Sequence, residues 1–558
     1  MEIFCSNLGK YIEAFGGESL ADIYTRLQPQ IEAKQPGFHP IGAHINNKSK
    51  GLGNIIFGPC QVSFFDSASP SGNRMYVRSL CMILCKAVSD LFPGSRLRIE
   101  HTISNGYFCK FSEGVAPDEA TAAKIKARMR EIVDQNLPFE RIERRTVDAV
   151  EEFRRHNLTD KLSLFEGYNE VYTTYYKLAD TIDSFYGYAA PSTGYIKYFD
   201  LIPYKTGMLL LGQDTATPGN VSKPIKQDKM FQALADYKEF NSIVRIKDVG
   251  MLNKVIREGY APLLINVVEA LHNKRLGEIA AEIVKRYREN GCRIVLIAGP
   301  SSSGKTTTSK RLAVHLLTNI ISPKVIELDN YFVNRDTTPR DENGDYDFES
   351  LYSVDLKQLN EDLNRLIAGQ EVAMPTYNFE TGKREYRGNT LRLNEGEILL
   401  LEGIHGLNPE LTKDIPNSQK FLVYVSALTT LSIDDHNWIS TSDTRLLRRI
   451  IRDYKYRGMS PHETIRRWPS VRRGENKWIF PFQENADATF NSSLLFEIGV
   501  LRSQALEALR KVPHNEPEYA DAVRLINMLN YFAEVPENEI PASSLLREFL
   551  GGSVFSKF

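Results

Sequence analysis

One eight-residue stretch carries the clearest chemical signal in the sequence. Gly299-Pro300-Ser301-Ser302-Ser303-Gly304-Lys305-Thr306 sets two glycines five positions apart, followed at once by lysine and threonine. The glycines let backbone N–H groups close around phosphate oxygens, and a helix start adds positive potential there. A lysine at this spacing reaches the outer phosphates, and the threonine offers its hydroxyl to Mg²⁺. The predicted nucleotide-binding residues are Gly299, Ser301, Ser302, Ser303, Gly304, Lys305, Thr306 and Thr307.

The neighbouring residues predict the elements that hold this stretch. The apolar run 294–298 predicts a buried strand before it, and the residues after it have helical apolar spacing. The positions expected on the buried face of that helix are Leu312, Ala313, Leu316, Leu317 and Ile320. The alternative is a Gly/Ser turn that fits the pattern by chance, and the strand-loop-helix setting argues against it.

Two carboxylates follow later apolar runs. Residues 324–328 predict a buried strand that delivers Asp329 at its end, where the residue can accept a proton from an acceptor hydroxyl or simply cap a helix. Residues 398–401 predict another strand ending at Glu402, which can hold a Mg²⁺-bound water. With 421–427, four predicted strands alternate with helical segments, which indicates a parallel α/β domain.

An arginine-rich run occupies 443–453. Arg445, Arg448, Arg449 and Arg452 have helical spacing, so at least two are expected to project toward phosphates from one face. The alternative is an exposed arginine-rich helix without a ligand.

These pieces, in this order, resemble the uridine kinase and phosphoribulokinase family of P-loop kinases over about residues 291–500. The resemblance is carried by Gly299–Thr306, 329–332, 346–349, 375–379, 402–404 and 443–453. It implies ATP and Mg²⁺ as cofactors and phosphoryl transfer to a small hydroxyl acceptor, with the 5′-hydroxyl of uridine or cytidine as the default. It also implies that run 443–453 is a lid whose arginines close over the nucleotide.

The same resemblance implies a role for each site residue. The implied catalytic residues are Asp329, Lys305, Glu402, Arg445 and Arg449, and the implied Mg²⁺ ligands, partly through water, are Thr306 and Glu402. The implied acceptor-binding residues are Asp329, Tyr331, Glu349, Tyr377 and Arg384.

Two departures from that family leave the acceptor open. Glu349 stands where the family usually has Asp, and Gly382 stands where it has a His that reads the pyrimidine. Another nucleoside or a sugar phosphate is therefore an alternative acceptor, since changing one hydrogen-bonding group can redirect a pocket. An RNA-binding regulatory P-loop ATPase is a third hypothesis. The Arg- and Trp-rich run 466–482 could stack on nucleic acid, although packing beside the active site is the favoured interpretation.

The chain of 558 residues is too long for one core, and its net charge of −1 gives no global attraction for nucleic acid. Short runs in the first 225 residues, among them 91–94, 105–108, 138–141 and 191–197, resemble the editing-domain region of threonyl-tRNA synthetases, and 1–67 resembles the ubiquitin-like TGS module before it. The chain is thus expected to be multidomain, with a β-grasp-like module and an α+β editing-like domain before the α/β kinase. The expected divisions are 1–67, 68–225, a helical connector at 226–290, the kinase at 291–500 and a helical extension at 501–558.

In the synthetase family, two His one turn apart on the first helix form the hydrolytic site with a later Cys and His. The matching positions here are Arg78, Met82, Phe185 and Ala189, so no zinc is expected and the front half is interpreted as a binding or structural relic. RNA stays open as a partner, with Arg78 either a phosphate contact or a solvated surface residue.

Smaller expectations complete the prediction. Residues 67–73 form a linker before a helix at 75–91, and 195–201 form a strand. A buried stripe in the connector consists of Leu263, Leu264, Val267, Val268 and Leu271. The N-terminus lacks a signal-peptide pattern and no run is long enough for a membrane helix, so a cytoplasmic protein without a membrane partner is expected. The kinase resemblance allows homo-oligomers, but no stretch specifies an interface.

Overall fold

A computed structural model describes residues 1–112, 114–342 and 344–557 of the chain. The first region is a mixed five-stranded sheet, in the order β2-β1-β7-β4-β5, beside a single helix. Its elements are β1 (Glu2–Cys5), β2 (Lys10–Glu13), β3 (Glu18–Ser19), α1 (Leu20–Lys34), β4 (Pro40–Ile45), β5 (Lys48–Gly51), β6 (Ile55–Ile56) and β7 (Gln61–Asp66). Alternating apolar residues of these strands and one face of α1 share a small core.

The second region carries a four-stranded sheet, β13-β14-β9-β8, and a three-stranded sheet, β10-β11-β12. Its elements are α2 (Pro70–Leu91), β8 (Leu97–Ile103), β9 (Gly106–Phe111), α3 (Glu119–Asp134), β10 (Glu140–Arg145), α4 (Thr146–Arg155), α5 (Thr159–Phe165), β11 (Tyr172–Leu178), β12 (Thr181–Asp183), β13 (Asp200–Tyr204) and β14 (Gly207–Leu211). Helix α2 is buried along nearly its whole length and forms the centre of this region's core.

Two local predictions in this region are wrong. The expected linker at 67–73 already contains the first turn of α2, because the Ser69 hydroxyl accepts a hydrogen bond from Gly72 N at 3.1 Å and Pro70 starts the helix. The strand expected at 195–201 begins only at Asp200, as β13, and a 3₁₀ turn at Thr193–Tyr195 precedes it. The buried Thr193 hydroxyl donates to the Ile132 carbonyl at 2.7 Å and anchors that turn.

Three helices connect this region to the rest of the chain: α6 (Asp228–Ile243), α7 (Val249–Arg257) and α8 (Ala261–Asn290). The buried stripe of α8 differs from the predicted one, because Leu264, Ile265 and Val268 are buried whereas Leu263 is 62% exposed and Val267 is also exposed. Where two adjacent residues such as 263 and 264 are both apolar, the sequence does not show which of them faces the core. Tertiary packing decides which one is buried.

The third region is a five-stranded parallel sheet in the order β16-β19-β15-β20-β21. Its elements are β15 (Ile294–Ala298), α9 (Lys305–Thr318), β16 (Ser322–Glu327), α10 (Leu356–Ile367), β17 (Val372–Asn378), β18 (Lys383–Leu391), β19 (Glu397–Glu402), β20 (Lys420–Ser426), α11 (Thr441–Tyr456), α12 (Pro461–Trp478) and β21 (Ala488–Asn491). Strands β17 and β18 form a separate antiparallel hairpin.

The predicted parallel α/β architecture is confirmed here, with three differences in detail. Strand β21 is a fifth strand that the sequence did not predict. Strand β16 lies at the sheet edge and is only partly buried, with Val325 exposed. Helix α9 ends at Thr318, so Leu317 is exposed and Ile320, beyond the helix, is 89% exposed.

The last region contains α13 (Glu497–Leu509), α14 (Tyr519–Leu529) and α15 (Arg547–Leu550). Helices α13 and α15 pack on α11, and one hydrophobic cluster runs from Phe153 of α4 through the sheet to Phe549. The N-terminal and C-terminal parts of the chain therefore share a core. Within the described residues, we find no helix that combines the length and the apolarity needed to cross a bilayer.

Candidate functional site

The phosphate loop lies between β15 and α9, as the sequence predicts. Gly304 begins the helix in the left-handed region at φ +84°, which glycine adopts without strain. A Cβ on Gly299 would lie 1.9 Å from the Val425 carbonyl oxygen, so only glycine lets the loop approach β20 this closely. Both glycines of the motif are therefore required by the geometry of the backbone.

Several polar side chains of this loop can donate hydrogen bonds to a bound anion. The side-chain oxygens of Ser302 and Ser303 are buried, and neither has a hydrogen-bond partner among the described residues. Buried hydroxyls without partners are costly, and phosphate oxygens would satisfy them. Lys305 Nζ donates to the Pro300 carbonyl at 3.2 Å, which keeps its ammonium folded over the loop. These groups fit a bound polyphosphate.

Carboxylates already accept from two of the loop's backbone donors. Glu475 Oε1 accepts from Ser301 N at 3.0 Å. Glu548 Oε2 accepts from Thr307 N at 3.3 Å and from Thr307 Oγ1 at 2.8 Å. Because α9 has free N–H groups in its first turn, an acidic side chain there takes the place where an anion binds.

Thr306 and Glu402 lie together at the carboxyl ends of β15 and β19. Thr306 Oγ1 donates to Glu402 Oε2 at 3.2 Å. Burial raises the pKa of Glu402 to about 7, while the positive charge of Lys305 opposes the rise. A hydroxyl beside a carboxylate is the oxygen donor set that Mg²⁺ prefers, so the pair fits that ion.

The Asp329 side chain lies just beyond β16, in a 3₁₀ turn, and keeps access to solvent. Desolvation by the surrounding protein raises its pKa, while Lys305 lowers it. Glu349 packs against Gly474 of α12, where an added Cβ would lie 2.4 Å from the Glu349 Cβ. Burial, and then the charge of Glu475, raises the pKa of Glu349 to about 7, and Lys305 again opposes the rise. One ammonium therefore faces three carboxylates, those of Asp329, Glu349 and Glu402.

The arginines of α11 fall into two groups. Arg445 and Arg448 are buried, with Arg445 paired to Glu475 and Arg448 to Glu497. Arg445 also donates to the Ser301 carbonyl at 3.1 Å, and Arg449 donates to Ser301 Oγ at 2.9 Å. The resemblance implies a lid that closes over the nucleotide, whereas in this structure α11 already contacts the loop.

The acceptor-side residues do not all converge. The Tyr331 hydroxyl donates to the buried Asp362 at 3.1 Å, in the core. Arg384 pairs with Asp355 at 2.9 Å. Tyr377 is buried, and its hydroxyl has no hydrogen-bond partner in the described parts of the chain.

Position 382, where the kinase family has a His, has no room for a side chain in this structure. Gly382 adopts φ +68°, and an added Cβ would lie 2.7 Å from the side chain of Arg335. Arg335 donates to the Phe379 carbonyl at 2.5 Å and so crosses the place that a residue 382 side chain would need. This corner of the site therefore presents a cation in place of an imidazole.

Sequence reasoning missed Glu475 and Glu548. Glu475 lies in the run interpreted as packing beside the active site, and α12 does pack there. An acid flanked by arginines in a helix was the available signal for an ion pair. For Glu548, an acidic residue within the apolar run 545–550 was the only hint, and nothing local connects it to the phosphate loop.

The front half lacks the His and Cys residues that form the hydrolytic site in the synthetase resemblance. Met82, Phe185 and Ala189 are buried apolar side chains. Cys85 and Asp183 of this half meet His436 of the C-terminal half, but the buried Lys161 ammonium lies 2.8 Å from Asp183 Oδ1 and 2.7 Å from Asp434 Oδ2. A resident ammonium opposes a metal cation, so this group is best described as a buried ion cluster.

Comparisons with known proteins support the family resemblance of each half of the chain. The N-terminal region matches threonine–tRNA ligases, and that of Fusobacterium nucleatum is 30% identical over 163 residues, or 29% of this chain and 26% of that protein. The chain thus spans only about a quarter of that relative's length. The uridine kinase of Macrococcus caseolyticus is 27% identical over 38% of this chain and 96% of its own.

A solved structure, the D-glycerate 3-kinase from Cryptococcus neoformans, matches 38% of this chain and 89% of its own at 12% identity and a TM-score of 0.27. The sequence model of the Phosphoribulokinase / Uridine kinase family matches residues 294–495, which hold the phosphate loop, Asp329, Glu402 and the arginines of α11. The C-terminal half of this chain therefore carries a domain of the phosphoribulokinase and uridine kinase family, behind an N-terminal region related to threonine–tRNA ligases.

Proposed function

We propose that the chain is an ATP- and Mg²⁺-dependent kinase that phosphorylates a small nucleoside-like acceptor, with the 5′-hydroxyl of uridine or cytidine as the first candidate. The observation that carries the proposal is the position of Lys305, whose charge acts on Asp329, Glu349 and Glu402 beside the phosphate loop. A regulatory ATPase has no need of a base aimed at an acceptor.

Each residue has a chemical role in this proposal. MgATP, when bound, supplies the phosphoryl group. Lys305 and Arg449 hold phosphate oxygens and stabilise the charge that spreads over the transferred group, and Arg445 joins them if it leaves Glu475. Thr306 and Glu402 hold the cation, the glutamate partly through water. Asp329 accepts the proton that the acceptor hydroxyl loses.

The acceptor is proposed to lie between Asp329, Glu349 and the β17–β18 hairpin. The free hydroxyl of Tyr377 supports this position, because a bound acceptor would give it a partner. Arg384 is proposed as a further contact, whereas Tyr331, which is fully buried with its hydroxyl engaged by Asp362, is proposed to support the pocket from the core. The Arg335 cation beside Gly382 favours a second candidate, an acceptor that already carries a phosphate.

We propose that the chain is divided at residues 67, 225, 290 and 500 into five functional units. The strand order of the first region and its single helix support a TGS-like β-grasp module at 1–67. A cytoplasmic location is proposed as well.

Radiolabelled ATP offered with uridine, cytidine, other nucleosides and sugar phosphates tests the proposal. We expect label transfer to one class of acceptor, and uridine or cytidine should compete best. Transfer only to sugar phosphates would select the second candidate. Hydrolysis of ATP without transfer to any acceptor would instead favour the regulatory ATPase.

A further inference from the structure

A second site candidate lies far along the chain from the phosphate loop. A cavity of about 420 Å³ opens where β5, α2, β11 and α14 meet, and a neighbouring cavity of about 270 Å³ shares Arg74, Arg78 and Arg524 with it. The cationic lining of the larger cavity consists of Lys48, Lys50, Arg74, Arg78, Arg141 and Arg524. Against these six, the described lining of that cavity holds one carboxylate, Glu170. Carboxylates outside the lining pair with Arg74, Arg141 and Arg524. Because the described residues give Lys48, Lys50 and Arg78 no ion pair, the cavity keeps an excess of positive charge although the chain is nearly neutral.

Arg78 is the one arginine of this lining for which the described residues provide no ion pair. Arg74 pairs with Asp521 at 3.3 Å and Arg524 with Asp443 at 2.6 Å. For Arg78, the described residues provide no carboxylate within ion-pairing distance, and its hydrogen bond goes to the Tyr188 carbonyl at 3.2 Å. Burial lowers the pKa of Arg78, which reflects the cost of holding this charge away from water. An anion entering the cavity would reduce that cost.

The surrounding backbone fixes the Arg78 guanidinium in place. Its carbon lies 5.4 Å from the centre of the Tyr186 ring, and a Cβ on Gly187 would lie 2.5 Å from it. The guanidinium is thus held between an aromatic ring and a bare stretch of backbone. A preorganised arginine loses little entropy when it forms paired hydrogen bonds to a phosphate or carboxylate.

Aromatic rings line the cavity beside the cations. Tyr168 and Tyr531 stack on each other, with centroids 5.2 Å apart and planes 14° apart. Tyr188 lies 5.1 Å from the Arg141 guanidinium, and Tyr172, also in the lining, is exposed. Cations that alternate with aromatic faces are the means by which proteins hold a phosphate and a base together.

From this arrangement we propose that the cavity binds one nucleotide, with its phosphate at Arg78 and its base among the tyrosines. The volume suits one small molecule, since such sites span about 300 to 1,000 Å³. A free mononucleotide and the terminal nucleotide of an RNA strand present the same chemistry to this surface. None of the lining residues belongs to the phosphate loop, so the proposal stands apart from the kinase activity.

Equilibrium dialysis of the full chain against radiolabelled AMP, CMP, GMP and UMP, and against end-labelled total tRNA, tests this proposal at about 50 mM salt. We expect at least one probe to bind in the Lys305→Met variant with an affinity within twofold of wild type. Arg78→Gln should weaken that binding at least tenfold. Binding of mononucleotides would identify a free ligand, and binding of tRNA alone would identify an RNA end.

Arg141→Gln supplies a second variant that does not depend on how Arg78 packs, since Arg141 is exposed. We expect it to weaken binding about threefold or more, as loss of one exposed phosphate contact does. The matched control is Arg144→Gln on the same strand, outside the cavity lining, which should bind as wild type. The proposal is overturned if no probe binds, or if neither Arg78→Gln nor Arg141→Gln changes the affinity.

Discussion

The Glu548 carboxylate accepts hydrogen bonds from the hydroxyl and the backbone N–H of Thr307, at 2.8 and 3.3 Å. The same C-terminal segment places Leu545 against Gly304, where an added Cβ would lie 2.7 Å from the leucine side chain. Further on, the Phe555 carbonyl accepts from Lys310 at 2.9 Å. The segment that contains α15 therefore occupies the first turn of α9, where the proposed nucleotide would place its phosphates.

Replacing Glu548 should strengthen nucleotide binding. In Glu548→Ala the N–H and hydroxyl of Thr307 lose their resident acceptor and a negative charge leaves the site, so we expect ATP to bind about tenfold more tightly, equal to about 1.4 kcal/mol. Calorimetric titration measures this change. Glu534→Ala, which removes an acid of the same C-terminal region that contacts Ser503, is the control and should bind as wild type. An unchanged or weaker affinity in Glu548→Ala would contradict competition between Glu548 and the nucleotide.

Glu349 should make stability depend on pH. Its pKa is about 7 in the folded chain and near 4.5 when unfolded, so the folded state binds the proton more tightly. Stability from this group is present below about pH 4.5 and is lost as pH rises through 7, by up to about 3 kcal/mol. Relative to wild type, Glu349→Gln should therefore gain stability between pH 5 and pH 8. Urea denaturation at the two pH values measures the gain, and an equal difference at both would contradict it.

Thr306 should set the requirement for Mg²⁺. Thr306→Val keeps the shape of the side chain but removes the hydroxyl that lies 3.2 Å from Glu402, so the concentration of Mg²⁺ for half-maximal phosphoryl transfer should rise at least tenfold. Thr308→Val, a buried change on the same helix, is the control. Equal Mg²⁺ requirements in the two variants would remove Thr306 from the metal site.

Lys161 should stabilise the contact between the two halves of the chain. Its buried ammonium pairs with Asp183 of the front half and Asp434 beyond β20. Lys161→Met leaves Asp434 without its cation and Asp183 with His436 alone, and we expect a loss of about 3 to 5 kcal/mol in unfolding free energy. The exposed pair Lys126 and Asp200 gives the control, since Lys126→Met should cost under about 1 kcal/mol. A similar small loss in both variants would show that the cluster adds no net stability.

The phosphate loop and the strands beside it could be predicted because their signals are local. Glycines at fixed spacing, an apolar run before them and acids at strand ends lie within a few residues of each other, and β15, β19 and β20 form where the apolar runs occur. The resemblance of the two halves to synthetases and to kinases could likewise be recognised from short runs of sequence. Each of these features depends on neighbours in the chain.

Features set by tertiary packing could not be predicted in this way. The buried face of α8 differs from the expected one because Leu263 and Leu264 are equally apolar, and only packing chooses between them. The contact of Glu548 with Thr307 joins residues 241 positions apart. Arg445 was expected on phosphates, and its pairing with Glu475 depends on how α11 and α12 cross.

The role of Asp329 is tested most directly by comparing acceptor phosphorylation in wild type, Asp329→Asn and Glu327→Gln. Glu327 is a matched acid two positions earlier, at the end of β16. We predict that Asp329→Asn lowers the transfer rate about 10²- to 10⁴-fold while ATP affinity stays within about threefold, and that Glu327→Gln transfers as wild type. Retention of the full transfer rate by Asp329→Asn would contradict the proposed kinase mechanism.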